Sequence, residues 1–125
     1  MRRSRLTLLL IAVALTGCDR APTTRADNGI VNLRVRDYRY DHQSVRVRAG
    51  AITFKVTNAG LEPTNFRVRR EGRKRDLVSI ATLVPGGIGS TTAKLRPGEY
   101  VMHSSVGRNE TLGEYGRLVV TRRGR

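Results

Sequence analysis

Apolar and polar residues alternate with a period of two over much of the chain. The apolar positions of residues 31–35, 45–47 and 52–56 are separated by single polar residues. Because successive side chains of a strand point to opposite faces, each run predicts a strand with one buried face. We expect residues 37–40 to continue the first strand and residues 41–44 to form a turn.

The second half of the chain has the same alternation and clearer turn signals. We predict strands over residues 66–68, 89–95, 100–104 and 117–121, with turns at the Pro-Gly pairs that precede the second and third of them. Apolar residues between positions 70 and 88 have mixed spacing, which leaves a helical turn and a short strand both open. Many short strands joined by turns predict an all-β fold, a Greek-key β-sandwich.

The first residues of the chain have the pattern of an export signal. Three arginines precede a short apolar run, Leu6–Leu15, which lies just before Cys18 and is too short for a permanent membrane span. The sequence Leu15-Thr16-Gly17-Cys18 resembles the bacterial lipobox, in which the cysteine is linked to diacylglycerol and becomes the mature N-terminus. The alternative is an ordinary signal peptide with a chance cysteine. The resemblance implies an exported protein, lipid-anchored to the bacterial cell membrane and facing the periplasm or the cell exterior.

This interpretation divides the chain into four parts. Residues 1–17 are the lipoprotein signal peptide, and residues 18–29 are the lipidated cysteine with a polar, flexible tether. Residues 30–122 are the folded domain, and residues 123–125 are a basic tail. Because Cys18 is the only cysteine, no intramolecular disulfide can form, and the core must stabilise the domain alone.

The chain is strongly basic, with a formal net charge of +14. Export argues against nucleic acid as a partner, and the few aromatic residues offer no platform for stacking bases. Arginines at alternate strand positions are expected to form the solvated strand faces. We further expect one face to carry a surplus of cations that binds anionic lipid or an envelope polymer. The alternative is that the charge only keeps the protein soluble.

Two ordered sets of residues resemble the cupredoxins, the plastocyanin/azurin-type domains. The C-terminal half of the chain keeps the frame of their C-terminal signature at Pro97, Gly98, Tyr100, Gly107, Gly113, Gly116, Leu118 and Val120, with one residue inserted in the loop. The N-terminal half matches at Tyr38, Tyr40, Val45, Val47, Gly50, Ile52, Phe54, Val56, Asn58, Gly60, Asn65 and Phe66. The resemblance implies a cupredoxin-like sandwich with Met102 in its core.

The same resemblance places four non-ligating residues where the family holds its copper. Thr64 stands for the first His, Ser104 for the Cys, Arg108 for the second His and Glu114 for the Met. Type 1 copper needs a thiolate, and Cys18 lies outside the domain. We therefore expect a degenerate site and no cofactor. We also expect an ion pair or hydrogen-bond network between Arg108 and Glu114 to hold the loop, the alternative being two exposed charges that do not meet.

Other chemistry has weak support in the sequence. His42 and His103, with a nearby carboxylate, are weak candidates for a surface copper or zinc site, against the simpler interpretation of two solvated histidines. His103, Ser104 and Ser105 are adjacent but have no elbow motif or oriented base, so we expect no catalysis. The predicted function is a membrane-anchored, non-catalytic binding or structural module with a protein partner that the sequence does not identify. The alternative is a copper-binding protein, for copper handling or electron transfer, with a non-blue site.

Overall fold

The alternating runs form ten strands in two facing sheets. The structure is a computed structural model that describes residues 22–123, so the signal peptide, Cys18 and the last two residues of the basic tail lie outside the described residues. The strands, in chain order, are β1 (Thr24–Ala26), β2 (Ile30–Arg36), β3 (Arg39–Tyr40), β4 (Ser44–Arg48), β5 (Gly50–Asn58), β6 (Thr64–Arg70), β7 (Asp76–Leu83), β8 (Ile88–Leu95), β9 (Gly98–His103) and β10 (Tyr115–Thr121). The predicted all-β sandwich is confirmed.

One sheet has six strands, in the order β1-β4-β10-β9-β6-β7, and the other has four, in the order β3-β2-β5-β8. Strand β4 lies between β1 and β10 and is parallel to both, and β2 is parallel to β5. The pairs β10/β9, β9/β6, β6/β7 and β5/β8 are antiparallel. The start of β6, the end of β9 and the start of β10 are therefore neighbours at one end of the larger sheet.

The inward residues of both sheets form one core. Phe54 and Phe66 are fully buried, with ring centroids 5.4 Å apart, and Tyr40 meets Phe66 edge to face at 6.1 Å. Met102 is also fully buried, as the alternation of β9 predicts. Removing a buried aromatic ring of this kind costs about 3–5 kcal/mol in the free energy of unfolding.

Two local predictions differ from the structure, and one open alternative is decided. Strand β1 lies within the segment that was expected to be a flexible tether, because the main chain there pairs with β4. Residues 37–40 do not continue β2, since Asp37 and Tyr38 have positive φ angles of 50° and 60° and turn the chain back into β3. The undecided stretch at 70–88 contains β7, whose pairing with β6 shifts register twice and so breaks the regular alternation.

The connections between strands gather at the two ends of the sandwich. We call the end formed by residues 37–38, 41–43, 59–63, 84–87 and 104–114 the loop end. The opposite end, formed by residues 27–29, 49, 71–75, 96–97 and 122–123, is the basic end. Thr23 enters the fold at the loop end, where its Oγ1 atom lies 3.0 Å from Ser44 Oγ at the start of β4. Within residues 22–123 there is no helix with the length and apolar character needed to cross a membrane.

Candidate functional site

Three of the four residues at the family's ligand positions meet inside the loop end. Thr64 opens β6, Ser104 follows β9, and Glu114 precedes β10, so the pairing of these strands brings their side chains together. Thr64 Oγ1 lies 3.3 Å from Ser104 Oγ and hydrogen-bonds to the Glu114 carboxylate. All three residues are buried, and Glu114 is only 1% exposed.

Asn65 extends this cluster towards the next residues of the loop. Its Oδ1 atom accepts hydrogen bonds from Ser104 Oγ at 3.1 Å and from the Ser105 backbone N–H at 2.8 Å. Its amide nitrogen donates to Ser105 Oγ at 2.8 Å. The Val106 N–H donates to Ser104 Oγ at 3.2 Å. Because a buried polar group costs free energy when it has no partner, these mutual bonds fix the conformation of the loop after β9.

Asn109, and not Arg108, completes the cluster. Asn109 is 7% exposed, and its amide nitrogen donates to the Pro63 carbonyl at 3.2 Å, while Arg108 is exposed. Turn hydrogen bonds accepted by the carbonyls of Arg108, Asn109 and Glu110 wind residues 108–114 tightly. They leave Asn109 facing inward. The expected pairing of Arg108 with Glu114 is absent among residues 22–123, where no ion pair involves either residue. A hydrogen-bond network is present, and Asn109 occupies the position in it that the resemblance gives to Arg108.

Among residues 22–123, the buried carboxyl of Glu114 forms no ion pair. Burial raises the pKa of Glu114, and hydrogen bonds from Thr64 and Asn109 partly oppose that shift. Burial also raises the pKa of the Tyr40 hydroxyl, with smaller contributions from the negative charges of Glu114 and Glu110. Among the described residues the Tyr40 hydroxyl has no hydrogen-bond partner. The buried cluster thus consists of hydroxyl, amide and carboxyl groups that hydrogen-bond mainly to one another, with the Tyr40 hydroxyl buried in the same fold.

His103 lies outside this cluster, on the outer face of the larger sheet. Its Nε2 atom is 2.7 Å from Asp76 Oδ1, and its Nδ1 atom is 3.3 Å from Glu110 Oε2, the latter without hydrogen-bond geometry. Arg67 approaches Asp76 at 3.5 Å, and Arg69 binds Glu110 at 2.6 Å. The bond from Arg69 is the main reason that the pKa of Glu110 lies below its usual value. His103 is thus a covered residue between two ion pairs, which differs from the solvated histidine of the simpler interpretation.

His42 lies at the same end of the sandwich but has different partners. Its Nδ1 atom is 3.1 Å from Thr24 Oγ1, and its Nε2 atom is 3.7 Å from Asp41 Oδ2. Neither partner is one of the carboxylates that contact His103, which are Asp76 and Glu110. In the part of the chain that the structure describes, no group of three or more His, Cys, Asp or Glu side chains is arranged to hold a metal ion. A joint site formed by His42 and His103 is not present.

The donor chemistry at the family's ligand positions does not fit type 1 copper. Such a site requires two imidazoles and a thiolate, usually with a weak axial thioether. The side chains that meet here offer two hydroxyls, one carboxyl and the amides of Asn65 and Asn109, and each is already hydrogen-bonded within the cluster. The loop is held by these bonds in the place where the family has a metal.

The comparisons with known proteins identify the fold. No family model and no curated protein matches the chain. Among solved structures, the chain is similar to reduced auracyanin from Roseiflexus castenholzii, with a TM-score of 0.70, 18% identity, and coverage of 74% of this chain and 97% of that one. It is also similar to an amicyanin variant in its Cu(I) form, with a TM-score of 0.54, 16% identity, and coverage of 74% and 83%. The described domain is cupredoxin-like, as the resemblance implied.

A third similar structure is a multicopper oxidase, with a TM-score of 0.57 and 15% identity; the match covers 74% of this chain and 42% of that one. Because the fold also occurs within an oxidase, it does not decide whether this chain is catalytic. The expectation that the chain has no cofactor is corrected by these comparisons. The similar structures include copper proteins, so copper is the cofactor to which they point.

Asn65 and Asn109 are the residues of the buried cluster whose part in it the sequence did not reveal. Asn65 had been matched to the family frame, but nothing in the sequence assigned it a role. The inserted residue in the loop between β9 and β10 was the only sign that position 109 could replace position 108. Both residues are buried amides, a residue type that is mostly exposed in folded proteins.

Proposed function

We propose that this protein is an exported cupredoxin-fold lipoprotein that serves as a non-catalytic binding module of the bacterial cell envelope, with the type 1 copper site replaced by side-chain hydrogen bonds. One observation carries the proposal. Thr64, Ser104 and Glu114 stand at three ligand positions of the family and bind one another in a buried cluster. A loop held in this way needs no thiolate to keep its shape.

The anchoring part of the proposal rests on the sequence. Cys18 follows a short apolar run and ends the lipobox-like sequence Leu15-Thr16-Gly17-Cys18. A diacylglycerol on Cys18, with a further acyl chain, holds a protein to a bilayer much more firmly than a single chain. The folded domain would then work close to the membrane surface, where a binding module meets lipid headgroups and envelope polymers.

Loading with Cu(II) tests the loss of type 1 chemistry. The full chain, supplied with Cu(II) and followed by visible absorbance, should show no intense thiolate-to-copper band. The Cys18→Ala variant is the matched control, because it removes the only cysteine sulfur of the chain, whether acylated or free. An intense blue species that persists in this variant, or one that depends on Cys18, contradicts the proposal.

Metabolic labelling tests the anchor separately. Cells that express the wild-type chain in the presence of a fatty-acid analogue should incorporate the label into the protein, and Cys18→Ala should abolish it. We expect the wild-type protein in the membrane fraction and the variant either in the soluble fraction or unprocessed. Wild-type protein without label would refute the lipoprotein assignment, while leaving the interpretation of the Thr64 cluster untouched.

A second candidate function is copper binding at a non-blue site. It is favoured by the copper proteins among the similar structures and by the position of His42, whose side chain is 41% exposed and whose Nε2 atom lies 3.7 Å from the Asp41 carboxylate. His103 is less available, because both of its ring nitrogens already face carboxylates. Native mass spectrometry during a Cu(II) titration should then show one bound ion that His42→Ala removes and His103→Ala retains. An ion that survives His42→Ala would locate the copper elsewhere.

A further inference from the structure

The two ends of the sandwich carry opposite charge. The connections of the loop end contain five acidic residues and one cation: Asp37, Asp41, Glu62, Glu110, Glu114 and Arg108. Those of the basic end contain six cations and two acidic residues: Arg73, Lys74, Arg75, Arg96, Arg122, Arg123, Asp27 and Glu71. On the strand ends beside the basic end, Arg25, Arg48, Arg70 and Lys94 add four cations, and Asp76 and Glu99 add two acidic residues. The strand ends beside residues 37–38 of the loop end add two cations, Arg36 and Arg39, so the loop end keeps a net negative count and the basic end a net positive one.

The cations of the basic end are positioned by contacts that leave their charge uncompensated. The Arg70 guanidinium lies 5.7 Å from the centre of the Tyr100 ring and donates to the Pro97 carbonyl at 3.4 Å. Arg123 Nε donates to the Ala49 carbonyl at 3.2 Å. Within residues 22–123, none of the ten cations in and beside the connections of the basic end is in an ion pair.

The acidic side chains at this end do not neutralise it. Glu71 hydrogen-bonds to Glu99, which raises the pKa of Glu71, and Glu99 in turn binds Arg117, which lies further along β10. Asp27 is exposed in the short connection before β2 and is in no ion pair among the described residues. A cluster of exposed cations without carboxylate partners is attracted to polyanions over roughly a Debye length, about 8 Å at physiological salt.

The chain that precedes the fold enters at the other end. Thr23 lies beside Ser44 at the loop end, and only four residues separate it from Cys18 in the sequence. Five residue steps span at most about 18 Å when fully extended. The nine residues of β5 alone extend over about 30 Å between the two ends. A lipid on Cys18 would therefore hold the loop end, and not the basic end, next to the anchoring bilayer.

We propose that the basic end binds an acidic polysaccharide of the cell envelope, on the side of the domain that faces away from the anchoring membrane. The orientation of the basic end away from the membrane rests on the proposed lipid anchor. Its binding of a polyanion rests only on the described residues. Arginine suits such a partner because its planar guanidinium binds carboxylate or phosphate oxygens in pairs. The anchoring bilayer is the less favourable occupant, since the connections that lie nearest to it are mostly acidic.

The test uses the full, acylated chain in vesicles of phosphatidylcholine alone, with polygalacturonate, a polycarboxylated glycan, as the soluble probe. Flotation of the vesicles first establishes that the protein is anchored. The amount of labelled glycan that floats with them then measures binding. The variant Arg73→Glu/Lys74→Glu/Arg75→Glu should bind the glycan roughly tenfold more weakly or not at all. Binding by the wild type should decline as salt rises.

The matched control is Arg34→Glu/Arg36→Glu/Arg39→Glu, which changes the net charge by the same amount on exposed positions of β2 and β3, towards the loop end. It should retain most of the binding. Equal losses in the two variants, or no glycan binding by the wild type, overturn the inference. The inference is also overturned if residues 71–75 are protected from hydrogen exchange on vesicles that contain phosphatidylglycerol, because that result places the basic end on the bilayer. Protein that does not float shows instead that the anchor has failed, and its glycan binding in solution still tests the basic end.

Discussion

The loop end and the basic end of the sandwich use polar residues in opposite ways. At the loop end, Thr64, Ser104 and Glu114 are buried and depend on one another for hydrogen bonds. At the basic end, Arg73, Lys74 and Arg75 are exposed in the connection between β6 and β7. A buried polar group that loses its partner costs about 1–3 kcal/mol, whereas an exposed charge costs little to change. Substitutions at the loop end should therefore change the stability of the fold, and substitutions at the basic end should change the binding of partners.

The largest expected effect comes from restoring ligands at the loop end. The variant Thr64→His/Ser104→Cys/Asn109→His/Glu114→Met places the family's donor types on the side chains that the structure brings together. We expect it to gain an intense visible thiolate-to-copper band with Cu(II), because all four positions point into one cluster. The parallel variant with Arg108→His in place of Asn109→His should not gain it, since Arg108 is exposed. The opposite outcome would show that position 108, and not 109, faces the cluster.

A smaller effect is expected from the pH dependence of stability. The folded-state pKa of Glu114 is raised by burial, so the folded protein holds this proton longer than the unfolded chain does. Its contribution to stability is present at low pH and is lost as pH rises through the raised value. Glu114→Gln cannot ionise, so its free energy of unfolding relative to wild type should increase between about pH 4 and about pH 8. Urea unfolding at several pH values measures this difference.

Glu110→Gln is the control of opposite sign. The pKa of Glu110 is lowered, chiefly by its hydrogen bond with Arg69, so its stabilising contribution is present at neutral pH and is lost as pH falls through the lowered value. This variant should therefore be less stable than wild type at neutral pH, by at most about 1 kcal/mol for such a partly exposed pair. If both variants respond to pH with the same sign, Glu114 is not the buried group that we describe.

The smallest effect is expected at the basic end. Reversing the charges of Arg73, Lys74 and Arg75 should change the free energy of unfolding by no more than about 0.5 kcal/mol, because the three side chains are exposed and make no ion pair in the described structure. Thermal unfolding followed by circular dichroism measures it. A loss of several kcal/mol would mean that the turn between β6 and β7 contributes to the core.

The fold followed from the sequence where alternation was regular. Val31, Leu33 and Val35 are all buried, as are Ile52, Phe54 and Val56, because a period of two places each set on one face of a strand. The alternation failed at β7, where Leu77 is 48% exposed and the pairing with β6 is irregular. It also failed at Asp37 and Tyr38, since left-handed backbone at two residues without glycine has no signal in the pattern of polarity.

The candidate site was predicted in part. The resemblance to the family directed attention to Thr64, Ser104 and Glu114, and the structure brings these three together. It could not distinguish Arg108 from Asn109, because one inserted residue in a loop changes which side chain points inward. The charges of Arg108 and Glu114 did not identify the inward residue either, because an Arg and a Glu in one loop suggest an ion pair whether or not they are buried. The division of charge between the two ends required the connectivity of all ten strands.

A pair of double-mutant cycles tests the central claim most directly, namely that Thr64 and Glu114 hold the loop end in place of a metal. The first cycle combines Thr64→Val with Glu114→Gln, and the second combines Arg108→Ala with Glu114→Gln. Free energies of unfolding should be non-additive by about 0.5–3 kcal/mol in the first cycle, and additive within about 0.5 kcal/mol in the second. Additivity in the first cycle together with coupling in the second would contradict the account, because it would assign the loop to the Arg108–Glu114 pair.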